Sequence, residues 1–278
     1  METIYINRDN LADWQGKADA CVIALGFFDG LHYGHREVIK TALRKAQEKG
    51  VQLSVMSFFP HPKSVLSNGE KQIDYLMPLS GKEKILRGLG VDTFYIVEFT
   101  REFAALSPEQ YVNDYLVNLG VIHAVAGFDF TYGSRGIGNL DRLQGDSGGS
   151  IEVTKVEKVA CRGEKISSTS IRERLAAGNV EELPDFLGCF YEIAGMWDGQ
   201  SFKLNPYYTL PAPGKYAVTI NIRNLSKRTE VIVEENSLKP VSELPLYLFG
   251  ELSIVWHKRI SEDASSSRPI LKVGGLTL

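Results

Sequence analysis

The runs ACVIALGFF, VQLSVMSFF, DTFYIVEFT and HAVAGFDF are apolar almost without interruption, and a stretch of helical period separates each from the next. An unbroken apolar run suits a strand covered on both faces, because a strand with one wet face alternates polar and apolar residues. Helices between such strands predict a parallel sheet with helices on both sides. REVIKTALRKAQEKG sets Val38, Ile39, Ala42, Leu43 and Ala46 at helical spacing and stops at Gly50. GKEKILRGLG repeats the pattern. SPEQYVNDYLVNLG offers Ser107 as a cap and Pro108 as the first helical residue.

From residue 133 the texture changes. GSRGIGNLDRLQGDSGGS is rich in glycine, with room for a short helix around Leu140 and Leu143. IEVTKVEKVA reads as another strand, and SSTSIRERLAAGNVEELPDFLG as two short helices broken near Gly178. Beyond about residue 189 the helical period disappears. YEIAGMWDGQSFKL, KYAVTINIRN, RTEVIVEE and GELSIVWHKRI are strand-like and separated by Gly, Pro, Asn and Ser, the pattern of a small antiparallel barrel or sandwich. The tail EDASSSRPILKVGGLTL reads as loosely ordered. Two domains are expected, 1–185 (α/β) and 186–278 (mostly β).

A chain of 278 residues with a net charge of −3 has no basic excess, so neither a nucleic acid nor an anionic membrane is an expected partner. No apolar run reaches the roughly 18–20 residues of a membrane span. The first twenty residues lack the basic-then-apolar order of a signal peptide. Cys21, Cys161 and Cys189 form no CxxC pair and read as small buried hydrophobes. The expected location is cytoplasmic.

Chemistry concentrates in GFFDGLHYGH, which holds two of the five histidines, His32 and His35, between a strand and a helix. There, free backbone N–H groups and the helix dipole favour an anion such as phosphate. Gly26, Gly30 and Gly34 leave room for close approach, and the histidines supply donors to phosphate oxygens. With neither a Walker A lysine nor GxGxxG, the turn is neither a P-loop nor a dinucleotide fingerprint. A metal held by the protein is not expected; magnesium carried in on a nucleotide is, since it prefers phosphate and water ligands.

Three further segments stand out. KISSTSIRERL places Ser167, Ser168, Thr169 and Ser170 before a helix with Arg172 in its first turn, more hydroxyls than one cap needs. SFFPHPKSV fixes His61 between two prolines. AGFDFTYGSRGIG sets Asp129 between Phe128 and Phe130 at a strand end, an acid beside aromatic surface that suits a planar ring with a polar rim.

In this order GFFDGLHYGH, FFPHP, GFDFTYGSRGIG and ISSTSIRERL resemble the FMN adenylyltransferase module of the prokaryotic bifunctional riboflavin kinase/FAD synthetases, over roughly residues 15–190. The pairing of HxGH with ISSTxIR marks the nucleotidylyltransferase superfamily, and the two intervening motifs point to its flavin branch. Phe27 departs from the pattern, which often has Asn there. The resemblance implies a Rossmann-like nucleotidylyltransferase domain followed by a β-barrel. It implies transfer of AMP from ATP to FMN, giving FAD and pyrophosphate. His32, His35 and Arg172 would act on the ATP phosphates, with Gly26, Phe28, Asp29, Gly30, Gly34, Ser168 and Thr169 completing the ATP site. His61, Asp129, Phe128 and Phe130 would hold the flavin.

In that family the barrel is a riboflavin kinase with a GxxxGR strand and a PTAN segment. Here GMWDGQSFKLNPYYTLPAPGKYAV keeps Gly195 and Gly199 but lacks the GR pair and PTAN, and Glu230 aligns only loosely with the kinase base. A kinase-inactive barrel is expected. Three readings stay open beside the leading one: a bifunctional enzyme with a divergent kinase site, a flavin-binding or regulatory protein without catalysis, and nucleotidyl transfer to another phosphorylated acceptor.

Overall fold

A computed structural model describes residues 1–67, 70, 74–205, 208–235, 237–242 and 249–260. Six strands, β1 (Glu2–Ile6), β2 (Cys21–Leu25), β3 (Gln52–Phe59), β4 (Thr93–Glu98), β5 (Val121–Gly127) and β6 (Glu152–Val156), form one sheet. Every pairing is parallel, in the order β1-β4-β3-β2-β5-β6. The chain steps outward from β2 through β3 and β4, then returns to lay β5 on the other side of β2. Between the carboxyl ends of β2 and β5 the sheet therefore has its switch point, where open parallel sheets bind ligands.

Because side chains alternate across a strand, β2 feeds two cores. Val22 and Ala24 pack with Val38, Ile39 and Ala42 of α1 (Tyr33–Lys49) and Leu86 of α2 (Leu79–Gly88). Ile23 and Leu25 pack with Tyr111 and Val112 of α3 (Pro108–Tyr115) and Leu140 and Leu143 of α4 (Leu140–Asp146). Both faces are thus covered, as the unbroken apolar runs require. Ser107 caps α3 in a reciprocal capping box with Gln110, and Pro108 stands in its first turn. Helix α5 (Ser168–Ala177) ends at Gly178, whose φ of 81° suits glycine, before the short helix Pro184–Leu187.

The chain divides into two compact units. Met1–Glu173, Pro184–Cys189, Tyr208 and Thr209 form the first; Arg174–Leu183, Phe190–Asn205 and the described residues from Leu210 onward form the second. The second is an antiparallel sheet of β7 (Glu192–Trp197), β8 (Phe202–Leu204), β9 (Gly214–Ile222), β10 (Leu225–Val233), β11 (Leu238–Pro240) and β12 (Gly250–Ile260). Its order, β8-β7-β12-β9-β10-β11, makes a nearly closed barrel. Tyr216, Val218, Ile220 and Ile222 of β9 point inward at every second position, in a core that includes Ile254 and Trp256. The tail read as loosely ordered lies outside the described residues.

One expectation about the cysteines fails. All three are free thiols, but only Cys21 is buried; Cys161 is half-buried and Cys189 is exposed.

Candidate active site

A cavity of about 410 Å³ opens at the switch point. From the end of β2 it is lined by Gly26, Phe27 and Phe28, from the cap and first turn of α1 by His32, Gly34 and His35, and from the end of β5 by Phe128, Asp129 and Phe130. Lys158, Lys165, Ser167 and Ser168 line it from the chain that follows β6. The two motifs that the sequence set over a hundred residues apart therefore share one wall.

His32 caps α1: its Nδ1 accepts the backbone N–H of His35 at 3.3 Å. In a neutral ring that acceptor role leaves the proton on Nε2. The His35 ring stacks on it, with centroids 3.6 Å apart and planes 16° from parallel. Nδ1 of His35 is buried and has no hydrogen-bond partner among the described residues. A Cβ on Gly34 would come within 3.2 Å of the His32 ring, so any larger residue there would push the ring aside by a few tenths of an ångström. Gly26 has the same relation to the Phe28 ring, at 3.0 Å. The backbone between is strained: Phe28 has φ 54° and Leu31 φ 42°, a left-handed conformation that non-glycine residues adopt at a cost.

Several residues assigned to the ATP site do not line this cavity. Asp29 is 2% exposed and accepts the backbone N–H groups of Leu76 and Met77 at 3.0 and 3.2 Å. Arg172 pairs with the same carboxylate and donates to the carbonyl of Asp74, so its guanidinium is drawn behind the turn and does not line the cavity. A Cβ on Gly30 would meet Leu76 and Leu187 in the packed interior, and its φ of 80° is what the turn needs. Thr169 is exposed and off the cavity. The hydroxyl cluster is largely committed locally: Ser167 and Ser170 each accept the other's backbone N–H at 3.1 Å, and Ser168 donates to the Asp29 carbonyl at 2.9 Å.

The residues assigned to the flavin also separate. Phe128, Asp129 and Phe130 line the histidine cavity, whereas His61 does not. Its Nδ1 accepts the N–H of Lys63 at 3.0 Å, and its ring lies edge-on to Phe27 with centroids 4.4 Å apart. A second cavity, of about 750 Å³, is rich in aromatic rings: Phe58, Phe99, Phe103, Tyr111 and Tyr132 line it, with Arg101 and Arg135. Phe58, Pro62 and Thr131 line both cavities.

Two lysines were missed from sequence. Lys165 pairs with Asp129 at 2.6 Å on the cavity rim and lies 4.7 Å from the Phe128 ring centroid. Its place directly before the hydroxyl cluster was a usable signal. Lys82 of α2 is 1% exposed and donates to the Phe27 carbonyl at 2.9 Å. Nothing in GKEKILRGLG distinguishes it from a solvated helical lysine.

The family model for FAD synthetase matches residues 15–170, the span that carries the cavity. The chain belongs to the FAD synthetase family. It is similar to a bifunctional riboflavin kinase/FMN adenylyltransferase from Listeria monocytogenes, at 41% identity over 80% of this chain and 74% of that one. The corresponding protein from Bacillus subtilis is 36% identical over 95% of this chain and 91% of its own. A protein named FAD synthetase, also from Listeria monocytogenes, is 34% identical over 77% of this chain and 87% of its own. A crystal structure described as a macrolide-efflux protein from Streptococcus pneumoniae shares the fold, with TM-score 0.79 and 26% identity over 94% of this chain and 91% of that one. Among the described residues of this family member, no helix is long and apolar enough to cross a membrane.

In this family member the site histidines are held neutral. Burial, then the charge of Lys165, pushes His32 down to about 4, with Asp129 opposing. Burial, then His32 and Lys82, holds His35 well below the ordinary value of 6.5. Such rings bind fewer protons folded than unfolded, so their contribution to stability is complete above pH 6.5 and is lost as pH falls towards 4. We expect the urea midpoint to drop between pH 7 and pH 5, with His32 contributing up to about 1.4 kcal/mol per pH unit. His32→Asn removes that share of the slope. Equal slopes in both proteins would contradict the depressed value.

Proposed function

We propose that the chain is an FMN adenylyltransferase, transferring AMP from ATP to FMN to give FAD and pyrophosphate. The observation that carries this reading is the shared wall of the two cavities. Donors for a polyphosphate converge in one, aromatic rings suited to a flavin line the other, and Phe58, Pro62 and Thr131 join them. An oxygen of the FMN phosphate attacks the α-phosphorus of ATP, and the bond from that phosphorus to the bridging oxygen of pyrophosphate breaks. No covalent intermediate with the protein is required, so positioning and charge stabilisation carry the catalysis.

His32 Nε2–H and the His35 ring donate to the phosphates as neutral groups, and Lys165 adds a cation once released from Asp129. The first turn of α5 offers backbone N–H groups to the departing pyrophosphate. Arg172 acts through Asp29, as a positioning residue. Magnesium enters with ATP as part of the substrate. The isoalloxazine takes the aromatic cavity, with its phosphate directed past Thr131 towards Phe128, Asp129 and Phe130. A reducing, cytoplasmic location suits the three free thiols.

The barrel is proposed to be without riboflavin kinase activity. Glu230, the one carboxylate that loosely matches a kinase base, lies 2.5 Å from Lys215 Nζ across the β9–β10 pair. Asp198 is committed to its own hairpin, accepting the N–H groups of Gln200 and Ser201 at 3.0 and 2.8 Å. With ATP and magnesium, the purified protein is expected to convert FMN to FAD and to leave riboflavin unphosphorylated, as read by chromatography. Absence of FAD would sink the functional reading. FMN formation from riboflavin at a rate comparable to FAD formation would sink the kinase-inactive one.

A further inference from the structure

Lys82 is buried, cationic and outside the cavity lining, yet it reaches the most strained part of the site. The Phe27 carbonyl accepts two hydrogen bonds, from Lys82 Nζ at 2.9 Å and from Ser57 Oγ at 2.8 Å. Phe27 directly precedes Phe28, whose φ is 54°. The ammonium also lies 4.6 Å from the centroid of the Phe27 ring. One residue beyond Phe28, Asp29 is fixed by the N–H groups of Leu76 and Met77, a few residues before Lys82 in the same segment. That segment therefore grips the turn on both sides of its left-handed residue.

The ammonium has electrostatic neighbours besides its carbonyl. The charged and titratable groups that face it are Asp29, His35 and His61. Asp29 favours its charge, while burial pushes its pKa down to about 8. In turn, its charge helps keep both histidines neutral. A solvated lysine would serve neither purpose.

We infer that Lys82 is a positioning residue for adenylyl transfer, holding the Phe27 carbonyl so that the histidine turn is formed before ATP arrives. This rests on the adenylyltransferase reading. A buried lysine is otherwise an expensive way to pin one carbonyl, since removing an ammonium from water carries a large cost. At 1% exposure, Lys82 holds the Phe27 carbonyl with a charge-assisted hydrogen bond that a neutral side chain would not supply.

The test compares Lys82→Met, which keeps length and loses both charge and donor, with Lys82→Gln, which keeps a donor and loses the charge. In the full chain, Lys82→Met is expected to lower kcat for FAD formation by about tenfold or more through misplacement of the turn, with the FMN KM changed less than about threefold. Lys82→Gln recovers part of kcat. In both variants the acid limb of the pH–kcat/KM profile moves to higher pH, because removing a neighbouring cation raises the pKa of His35. A wild-type protein that makes no FAD would refute the functional reading and leave nothing for Lys82 to position. A wild type that makes FAD beside variants with unchanged kcat and an unmoved acid limb would overturn the inference alone. If Lys82→Met does not fold, Lys82→Gln carries the test. Loss of folding in both would assign Lys82 to stability only and would equally overturn it.

Discussion

His32→Ala and His35→Ala are each expected to lower the turnover of FMN to FAD by about 10² or more, the usual loss when one preorganised donor is taken from a charged transition state. The rings are stacked and held neutral by burial, so each has its position set before substrate binds. His32 has a second duty as the cap of α1, so His32→Ala also costs about 1 kcal/mol of stability. His32→Asn separates the two effects. Asparagine is a good cap but lacks the ring Nε2–H, so stability stays within about 0.5 kcal/mol while turnover still falls. Steady-state FAD formation with ATP saturating is the measurement. Unchanged turnover in both alanine variants would remove the histidines from the mechanism.

Asp29→Ala should destabilise the first unit by about 3 kcal/mol, the low end for breaking a buried ion pair, because Arg172 keeps some contact with solvent. The carboxylate takes Arg172 and two backbone N–H groups at once, so alanine leaves three donors without their acceptor. Asp29→Asn retains one acceptor oxygen and should lose less than the alanine variant. Denaturant titration followed by circular dichroism reads the difference. A loss below about 0.5 kcal/mol in the alanine variant would mean the pair contributes no more than an exposed one. Turnover should fall with stability here, because the carboxylate ties Arg172 and the Leu76–Met77 backbone to the histidine turn.

Much of the fold was legible because its signals are local. Unbroken apolar runs report burial on both faces, and Ser107 with Pro108 announces a capped helix that forms with its box complete. β1 escaped because five residues of alternating exposure at a sheet edge carry little pattern. The convergence of HxGH with the serine cluster was legible through the topology that parallel strands impose, and both motifs line one cavity. What the sequence hides is which groups spend their hydrogen bonds on one another. Ser167 and Ser170 satisfy each other's backbone, and Asp29 and Arg172, 143 residues apart, cancel each other's charge. Neither commitment leaves a trace in spacing, so hydroxyls and a guanidinium that look available for phosphate are partly taken. Lys82 is hidden for the same reason, since its partner is a backbone carbonyl on another strand's loop.

The span between Asp29 and Arg172 has a consequence for synthesis on the ribosome. When β2 and α1 have emerged, the turn between them must still take up the left-handed conformations that Phe28 and Leu31 have in the folded chain, each unfavourable by roughly 1–2 kcal/mol. Its restraints arrive later, from Ser57, then Leu76 to Lys82, and finally Arg172. A nascent chain halted before residue 172 therefore carries the histidine motif without the grip that shapes it. Nucleotide affinity is expected to rise late and abruptly along a series of lengthening chains, once Arg172 has emerged to pair with Asp29.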